Sequence, residues 1–182
     1  MTKTEFKINT YTKEDAYQTL TMINSWISNI DTKISFALAF VGILIGTIFS
    51  SGIPKSLQPI FNTKKLSDIK FGQYFAAAVI IILLLMCLAV IINLLLGMKA
   101  RVKEKAENDS IIYFGAISKK SLGEYQSIIG KINETEMLDD LTEQIYINSK
   151  ICTKKANFYN NALIYLIISV LVWFISKTLD LL

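Results

Sequence analysis

Histidine is absent from the 182 residues of this chain, and the sequence holds only two cysteines and two prolines. Without histidine and without a CxxC pair, a structural zinc site is excluded, because its usual ligand sets need one or the other. Cys87 lies inside an apolar run and Cys152 lies close to lysines. We therefore expect both thiols to be packed side chains in a reducing compartment.

A catalytic constellation is also missing from the sequence. There is no HExxH and no GxxxxGK[ST] pattern, and a serine or cysteine nucleophile would have to use lysine or a carboxylate as its base. Asp139 and Asp140 are adjacent, so on a helix they point in different directions. We expect the chain not to be an enzyme and to need no cofactor or metal.

Apolar residues dominate what is present, since 52% of the chain is hydrophobic and its net charge is only +4. This modest charge favours membrane headgroups or an anionic small ligand over nucleic acid as the partner. Three long runs carry no charge, namely residues 34–54, 71–98 and 156–176. About 20 apolar residues of helix cross a bilayer core, so the sequence predicts an all-α membrane protein with three transmembrane helices.

Basic residues beside these runs predict the orientation in the membrane. Seven of them flank the segment between the second and third runs: Lys99, Arg101, Lys103, Lys105, Lys150, Lys154 and Lys155. The positive-inside rule then places that segment in the cytoplasm, although four lysines in the loop after the first run oppose this orientation. The predicted order is a cytoplasmic amphipathic helix (1–33), the first span (34–54), an outside loop (55–70), the second span (71–98), a cytoplasmic helical segment (99–155), the third span (156–176) and a tail (177–182).

The amphipathic helix is predicted because apolar residues recur at steps of three and four from Leu20 to Ile30. Thr12–Asp15 offers a capping start, and no glycine or proline interrupts the pattern before Gly42. We expect this helix to continue unbroken into the first span. Its apolar stripe either packs against other helices of the cytoplasmic segment or forms a coiled coil between subunits.

Two further helices are predicted in the segment 99–155. Ser121 and Glu124 form a capping box, and a second helix starts near Glu136 and continues through Lys154 into the third span. The apolar stretch Ile111–Ile117 precedes them. It is compatible with a strand, a loop plug or a turn of helix.

Two features stand at the first span. Gly42 and Gly46 are four residues apart, a spacing that lets two helix backbones approach closely, within the chain or between subunits, unless it occurs by chance. Asp31 and Lys33 are two positions apart and point away from each other on a helix. Either these charges stay at the membrane surface, or each of them contacts another helix or a ligand.

Basic and aromatic side chains near the cytoplasmic boundary are candidate contacts for an anionic ligand. The basic ones are Arg101, Lys103, Lys119, Lys120, Lys150, Lys154 and Lys155. Aromatic faces on which a base could stack are offered by Tyr113, Phe114, Tyr125 and Tyr146. The alternative is that the lysines only satisfy the positive-inside rule.

Four segments in this order resemble the transmembrane effectors of Pycsar antiphage systems, which are similar in architecture to the membrane effectors of CBASS systems. The segments are Trp26–Lys33 (WISNIDTK), Tyr113–Ile117 (YFGAI), Gln144–Tyr146 (QIY) and Ser149–Lys155 (SKICTKK). The resemblance implies a protein of the bacterial inner membrane that stays silent until a partner cyclase makes cyclic CMP or cyclic UMP. The nucleotide then switches a homo-oligomer to membrane disruption and abortive infection. By match to the family's recurrent positions, the residues of interest are Asp31, Lys33, Phe114, Gly115, Gln144, Tyr146 and Lys155.

Two other functions fit the sequence. A holin-like toxin would permeabilise membranes without any ligand, although a pure pore former has little need of separate capped helices. A membrane subunit could instead anchor a soluble partner through the acidic middle of the segment 99–155.

Overall fold

The computed structural model describes residues 11–62, 70–100 and 110–182 of the chain. All regular structure within these ranges is helical, which confirms the predicted fold class. The helices are α1 (Lys13–Ile48), α2 (Gln58–Asn62), α3 (Phe71–Lys99), α4 (Phe114–Ile117), α5 (Leu122–Ile129) and α6 (Glu134–Thr178).

The described residues divide into two compact units. The soluble unit contains residues 11–29 and 110–153, and the membrane unit contains residues 30–62, 70–100 and 154–182. Helices α1 and α6 each contribute one part to either unit. Both helices are therefore longer than a membrane span, as the unbroken pattern in the sequence predicts.

Three helices, α1, α3 and α6, are each long and apolar enough to cross a membrane, which confirms the predicted number of spans. The three helices share one apolar core. The residues that α3 buries in this core recur every three or four positions, which is the spacing of one helix face. They are Ala77, Ile80, Leu83, Cys87, Val90 and Leu94. The opposite face of α3 exposes large apolar side chains, as expected for a helix that meets lipid.

The first span ends earlier than the charge-free run in the sequence. Helix α1 stops at Ile48, and a turn follows in which Gly52 adopts a φ of 89°, a conformation open to glycine at little cost. Pro54 then lies buried before the short helix α2, which falls within the predicted outside loop. The last residues of the apolar run thus form a turn and not a further helical turn.

The C-terminal tail is fastened to this turn by what we term the tail clasp, formed by Lys55, Ser56, Asp180 and Leu181. The Lys55 Nζ atom lies 2.7 Å from the Asp180 carboxylate, and the Ser56 hydroxyl donates to the Leu181 carbonyl at 2.7 Å. Asp180 has a φ of 53°, and the Leu181 amide donates to the carbonyl of Ser176. This bond ends α6 with a left-handed residue in the manner of a Schellman motif.

Acidification is expected to open the tail clasp. Hydrogen bonds from Lys55 hold the pKa of the Asp180 carboxyl below its usual range. A lowered pKa in the folded protein stabilises the clasp above the ordinary carboxyl pKa, and this contribution is lost as the pH falls through the lowered value. The contribution of the Lys55–Asp180 pair is measured by hydrogen exchange of the Leu181 amide. The exchange rate is compared at each pH between wild type and Lys55→Met. The difference between the two proteins should be present at pH 7 and vanish in acid; a difference independent of pH would contradict the assignment.

In the soluble unit, the start of α1 is fixed by reciprocal capping. The Thr12 amide donates to the Asp15 carboxylate at 2.9 Å, and the Asp15 amide donates to the Thr12 hydroxyl at 3.2 Å, which confirms the predicted capping start. Ala16 and Leu20 of α1 are buried against Leu141 of α6. This part of the apolar stripe therefore packs within the chain, the first of the two predicted alternatives.

Residues 111–117, for which the sequence allowed a strand, a loop plug or a turn of helix, contain one turn of helix. Ser110 and Asp140 fix its start, because the Asp140 carboxylate accepts from the Ser110 hydroxyl at 3.1 Å and from the Ile111 amide at 2.9 Å. Gly115 has no room for a side chain, since a Cβ there would lie 2.6 Å from Cε1 of Tyr113. The predicted capping box of Ser121 and Glu124 then begins α5 and is confirmed.

Candidate functional site

A charged side chain joins three helices at one end of the membrane unit. Lys155 of α6 lies with its Nζ atom 2.6 Å from Oδ1 of Asp31 on α1, and the same Nζ donates to the carbonyl of Met98 on α3 at 3.2 Å. We call Asp31, Met98 and Lys155 the three-helix node. Asp31 and Lys155 are 124 positions apart in the sequence, so the fold alone brings them together.

The ammonium group of the three-helix node is buried, so its partners matter for stability. The side chain of Lys155 is only 7% exposed, whereas that of Asp31 is 43% exposed. A buried ammonium group is costly unless a counter-charge and hydrogen bonds replace its hydration. Asp31 supplies the charge, and the half-open position of its carboxylate leaves it in contact with water. Lys155 therefore gains more from the ion pair than Asp31 does, because only the lysine side chain is buried.

The third member of the node, Met98, contributes its backbone. Its carbonyl is among the last four of α3, which have no partner inside the helix. The C-terminal end of a helix carries partial negative charge, so a lysine ammonium is a favourable partner there. Lys155 thus closes the end of α3 and neutralises Asp31 with the same atom.

Gly97 allows the three helices to come this close. A Cβ atom at this position would lie 3.0 Å from Cδ1 of Ile34 on α1 and 3.4 Å from Cβ of Phe158 on α6. The first distance is tighter than ordinary van der Waals contact, and the second is at its lower limit. Gly97 was not singled out in the sequence, because the requirement comes from side chains on two other helices; its place at the end of a long apolar run is the one local signal.

The node lies where the chain passes from one unit to the other. The division falls after residues 29, 100 and 153, each within three positions of a node member. Every covalent route by which a change in the soluble unit reaches the spans therefore runs past Asp31, Met98 or Lys155.

The other charged candidates at this end lie outside the node. Lys33 is exposed and has no partner among residues 11–62, 70–100 and 110–182. Lys154 is also exposed, although it takes part in an interaction. Arg101 lies outside the described residues. Asp31 and Lys33 thus point in different directions, and of the two only Asp31 reaches a helix other than its own.

The aromatic candidates form two separate groups in the soluble unit. The rings of Tyr113 and Phe114 lie 4.8 Å apart at 54°, and Phe114 is 69% exposed. Tyr146 is 56% exposed, and the Nζ atom of Lys150 lies 4.1 Å from the centre of its ring, within the range of a cation–π contact. Phe114 therefore offers an open aromatic face, whereas Lys150 lies over one face of the exposed Tyr146 ring.

Gln144 is the buried uncharged polar residue of the predicted set. It is 4% exposed, and its Nε2 group finds no hydrogen-bond partner within the part of the chain that the structure describes. A buried unsatisfied amide costs about 1–3 kcal/mol. Such a group favours any rearrangement that provides it with an acceptor.

The glycine pair of the first span does not pack within the described chain. Gly42 and Gly46 are exposed, and no atom lies within 4 Å of a Cβ built at either position. The small residues that pack between the spans are instead on α6, where Ala162, Ser169 and Ser176 are at most 1% exposed at intervals of seven. Of the alternatives for the glycines, close packing between subunits stays a prediction.

These features define a helical membrane protein in which a soluble unit and three membrane-spanning helices share two continuous helices. A family model described as PycTM, the Pycsar effector protein domain, matches residues 15–179. The chain belongs to this family of antiphage defence effectors. The Pycsar effector protein GmPycTM of Gulbenkiania mobilis is 38% identical over 178 residues, which cover 90% of each chain. No solved structure shows significant similarity to the chain.

Proposed function

We propose that this effector is activated by a cyclic pyrimidine mononucleotide, cyclic CMP or cyclic UMP, made by a partner cyclase. The activated protein then disrupts the bacterial inner membrane and causes abortive infection. Family membership supports the defence role, and the three-helix node supports a switch. The node carries the proposal because one of its three members lies within two residues of every chain connection between the two units, and its lysine is buried.

A ligand can drive such a switch only by binding the disruptive arrangement better than the resting one. Moving an equilibrium from 1:99 to 99:1 takes a preference of about 10⁴. In this proposal the resting arrangement keeps Lys155 paired with Asp31 and Met98. Nucleotide binding in the soluble unit shifts α1 and α6, and the shift reaches the node along these helices.

The face of α6 that carries Tyr146 and Lys150 is the preferred contact surface for the nucleotide. These two residues are four positions apart, so they share one side of the helix, and both are exposed. Lysine ammonium groups suit a phosphate, and an aromatic ring suits a stacked base. Phe114 provides a second open ring in the same unit.

A single chain with three spans is too small to line a wide opening, so the proposed membrane disruption includes assembly of several copies. The orientation follows the positive-inside rule, with residues 99–155 on the cytoplasmic side where a cyclase product is available. The lipid bilayer is then both the site and the target of the effector.

Leakage from liposomes tests the function directly. Purified protein is reconstituted with an entrapped dye, and cyclic CMP, cyclic UMP, cyclic AMP and a cyclic dinucleotide are added separately. We expect release with a cyclic pyrimidine mononucleotide and none with cyclic AMP. A response to the cyclic dinucleotide alone would move the protein to a CBASS context.

Two further outcomes of this experiment would overturn the proposal. Release without any ligand identifies the holin-like alternative, in which the amount of protein is the trigger. Silence with every ligand, in protein shown to be helical by circular dichroism, favours the anchoring subunit. Liposomes without protein provide the baseline for all four additions.

A further inference from the structure

The soluble unit contains a groove of about 600 Å³ that the proposed switch does not use. Its apolar lining is formed by Ile111, Ile128 and Ile132, and the acidic lining by Glu136, Asp139 and Glu143. We call this the acidic groove. An apolar floor beside several carboxylates suits an occupant that is basic and also carries an apolar side chain.

The charge of the acidic groove is not balanced inside the described chain. Among the described residues, Lys131 is the single basic one in its lining, and Asp140 accepts hydrogen bonds from Ser110 and the Ile111 amide. Asp139 and Glu143 are exposed, and their carboxylates form no ion pair among the described residues. They lie four positions apart on α6, where like charges repel each other. A basic partner would remove this repulsion.

A segment with the matching chemistry lies between α4 and α5 of the same unit. Residues 119–122 carry Lys119, which is exposed, Lys120, and Leu122, which is 72% exposed. We call residues 119–122 the basic segment. Lys120 donates to the Ala116 carbonyl at 3.3 Å. The hydrogen bonds of the capping box lower the pKa of the Glu124 carboxyl, and Lys120 lies close enough to lower it further.

The basic segment does not fill the groove of its own chain. Lys119 and Lys120 line a separate depression of about 620 Å³, together with Gly123, Glu124 and Ser127. Ile128 of α5 belongs to the lining of both this depression and the acidic groove. The lysines before α5 and the carboxylates of α6 thus line two different depressions of the soluble unit, so that two copies can meet with opposite charges facing.

We propose that the acidic groove of one copy binds the basic segment of a second copy. Lys119 and Lys120 would face Asp139 and Glu143, and Leu122 would lie on the isoleucine floor. The contact joins two different surfaces, so it is heterologous and can repeat from copy to copy. Since all copies share one orientation in a membrane, the repeat is a rotation about the membrane normal and can close into a ring. The role of such a ring in leakage rests on the proposed function, whereas the contact itself does not.

Charge reversal tests the contact with the full-length protein in detergent micelles at low salt. One variant carries Lys119→Glu and Lys120→Glu, and another carries Asp139→Lys and Glu143→Lys. Each alone places like charges in contact and should raise the concentration needed for self-association by roughly tenfold or more. All four substitutions in one chain restore opposite charges, as does a mixture of the two variants, so both should recover association. Mass photometry measures the size distribution.

A matched control changes acidic residues elsewhere in the soluble unit. Glu14→Lys with Glu134→Lys alters the same number of charges outside the acidic groove and should leave association unchanged. A zero-length carbodiimide cross-linker, applied to a mixture of ¹⁴N and ¹⁵N protein, should join Lys119 or Lys120 to Asp139 or Glu143 across isotopes. Higher salt should weaken association in wild type, because it screens exposed charges.

Three results would overturn the proposal: a wild-type protein that stays monomeric, reversed variants that associate normally, or a fourfold variant that folds but does not recover. Leakage assays on the same proteins separate this inference from the proposed function. Normal association without nucleotide-dependent leakage counts against the function alone. Nucleotide-dependent leakage from the reversed variants counts against the role of the ring alone.

Discussion

Replacing Asp31 with asparagine is expected to lower the free energy of unfolding by about 2 kcal/mol, because it leaves the buried ammonium of Lys155 without a counter-charge. Pairs buried on both sides lose roughly 3–5 kcal/mol when one partner is removed. The expected loss is smaller here because water reaches the half-exposed Asp31 side of the pair. Thermal unfolding in micelles, followed by circular dichroism, measures the change.

A double-mutant cycle separates the ion pair from packing. Lys155→Met keeps most of the side-chain volume and should cost only about 1 kcal/mol, since the half-exposed Asp31 can be rehydrated. Asp31→Asn should then have little effect in the Lys155→Met background. Lys33→Met serves as the matched control, because Lys33 is exposed and unpaired among the described residues. Equal losses in the presence and absence of Lys155 would show that the pair does not matter for stability.

The same variants test the switch. If the node holds the resting arrangement, Asp31→Asn should release dye from liposomes without nucleotide, or with less of it than wild type needs. Lys33→Met should keep the wild-type response. A folded Asp31→Asn protein with a wild-type dose response would remove the node from the mechanism while leaving the family assignment intact.

Replacing Gly97 with leucine is expected to destabilise the membrane unit by about 2–3 kcal/mol. The new side chain would have to enter the space held by Ile34 and Phe158, and overpacking of this kind forces helices apart or side chains out of their rotamers. Alanine should be far milder, because the tightest contact is with the flexible end of Ile34 and because alanine gains about 1 kcal/mol of helix propensity over glycine.

The chain offers matched controls for this change. Gly42→Leu and Gly46→Leu add the same side chain where no atom lies within 4 Å, so the stability of the isolated protein should not fall. Ile34→Val removes the methyl group nearest to Gly97 and should lessen the cost of Gly97→Ala in the same chain. Unfolding midpoints of wild type and of these variants test the assignment, and a Gly97→Leu protein as stable as wild type would refute it.

The spans and caps could be predicted because their causes are local. A charge-free run of sufficient length specifies a membrane helix, and Thr12 or Ser121 specifies a helix start through a neighbour three positions away. The end of α1 could not be placed from the charge-free run, because the turn after Ile48 also carries no charge. The conformation of residues 111–117 stayed ambiguous for a different reason. Asp140, a residue of another helix, fixes where this stretch starts.

The node could be predicted only in part, because its contacts are non-local. Asp31 and Lys155 were both recognised as candidates, but nothing in the sequence indicates that they pair with each other across 124 positions. Gly97 was missed and Gly42 was noticed, although Gly97 is the one in a tight contact. A glycine motif shows where a helix could pack closely against another helix. Which face does so depends on the side chains of the partner helix.

The tail clasp also determines how the membrane unit would respond to mechanical load. Lys55 and Ser56 follow the first span, and Asp180 and Leu181 follow the third, so a force applied at the C-terminus is divided between α1 and α6 from the start. Pulling the chain out of a bilayer from this end would not extract α6 alone until the clasp had broken. Asp180 and Leu181 therefore link the ends of the first and last spans mechanically, and this link is the first to break under load.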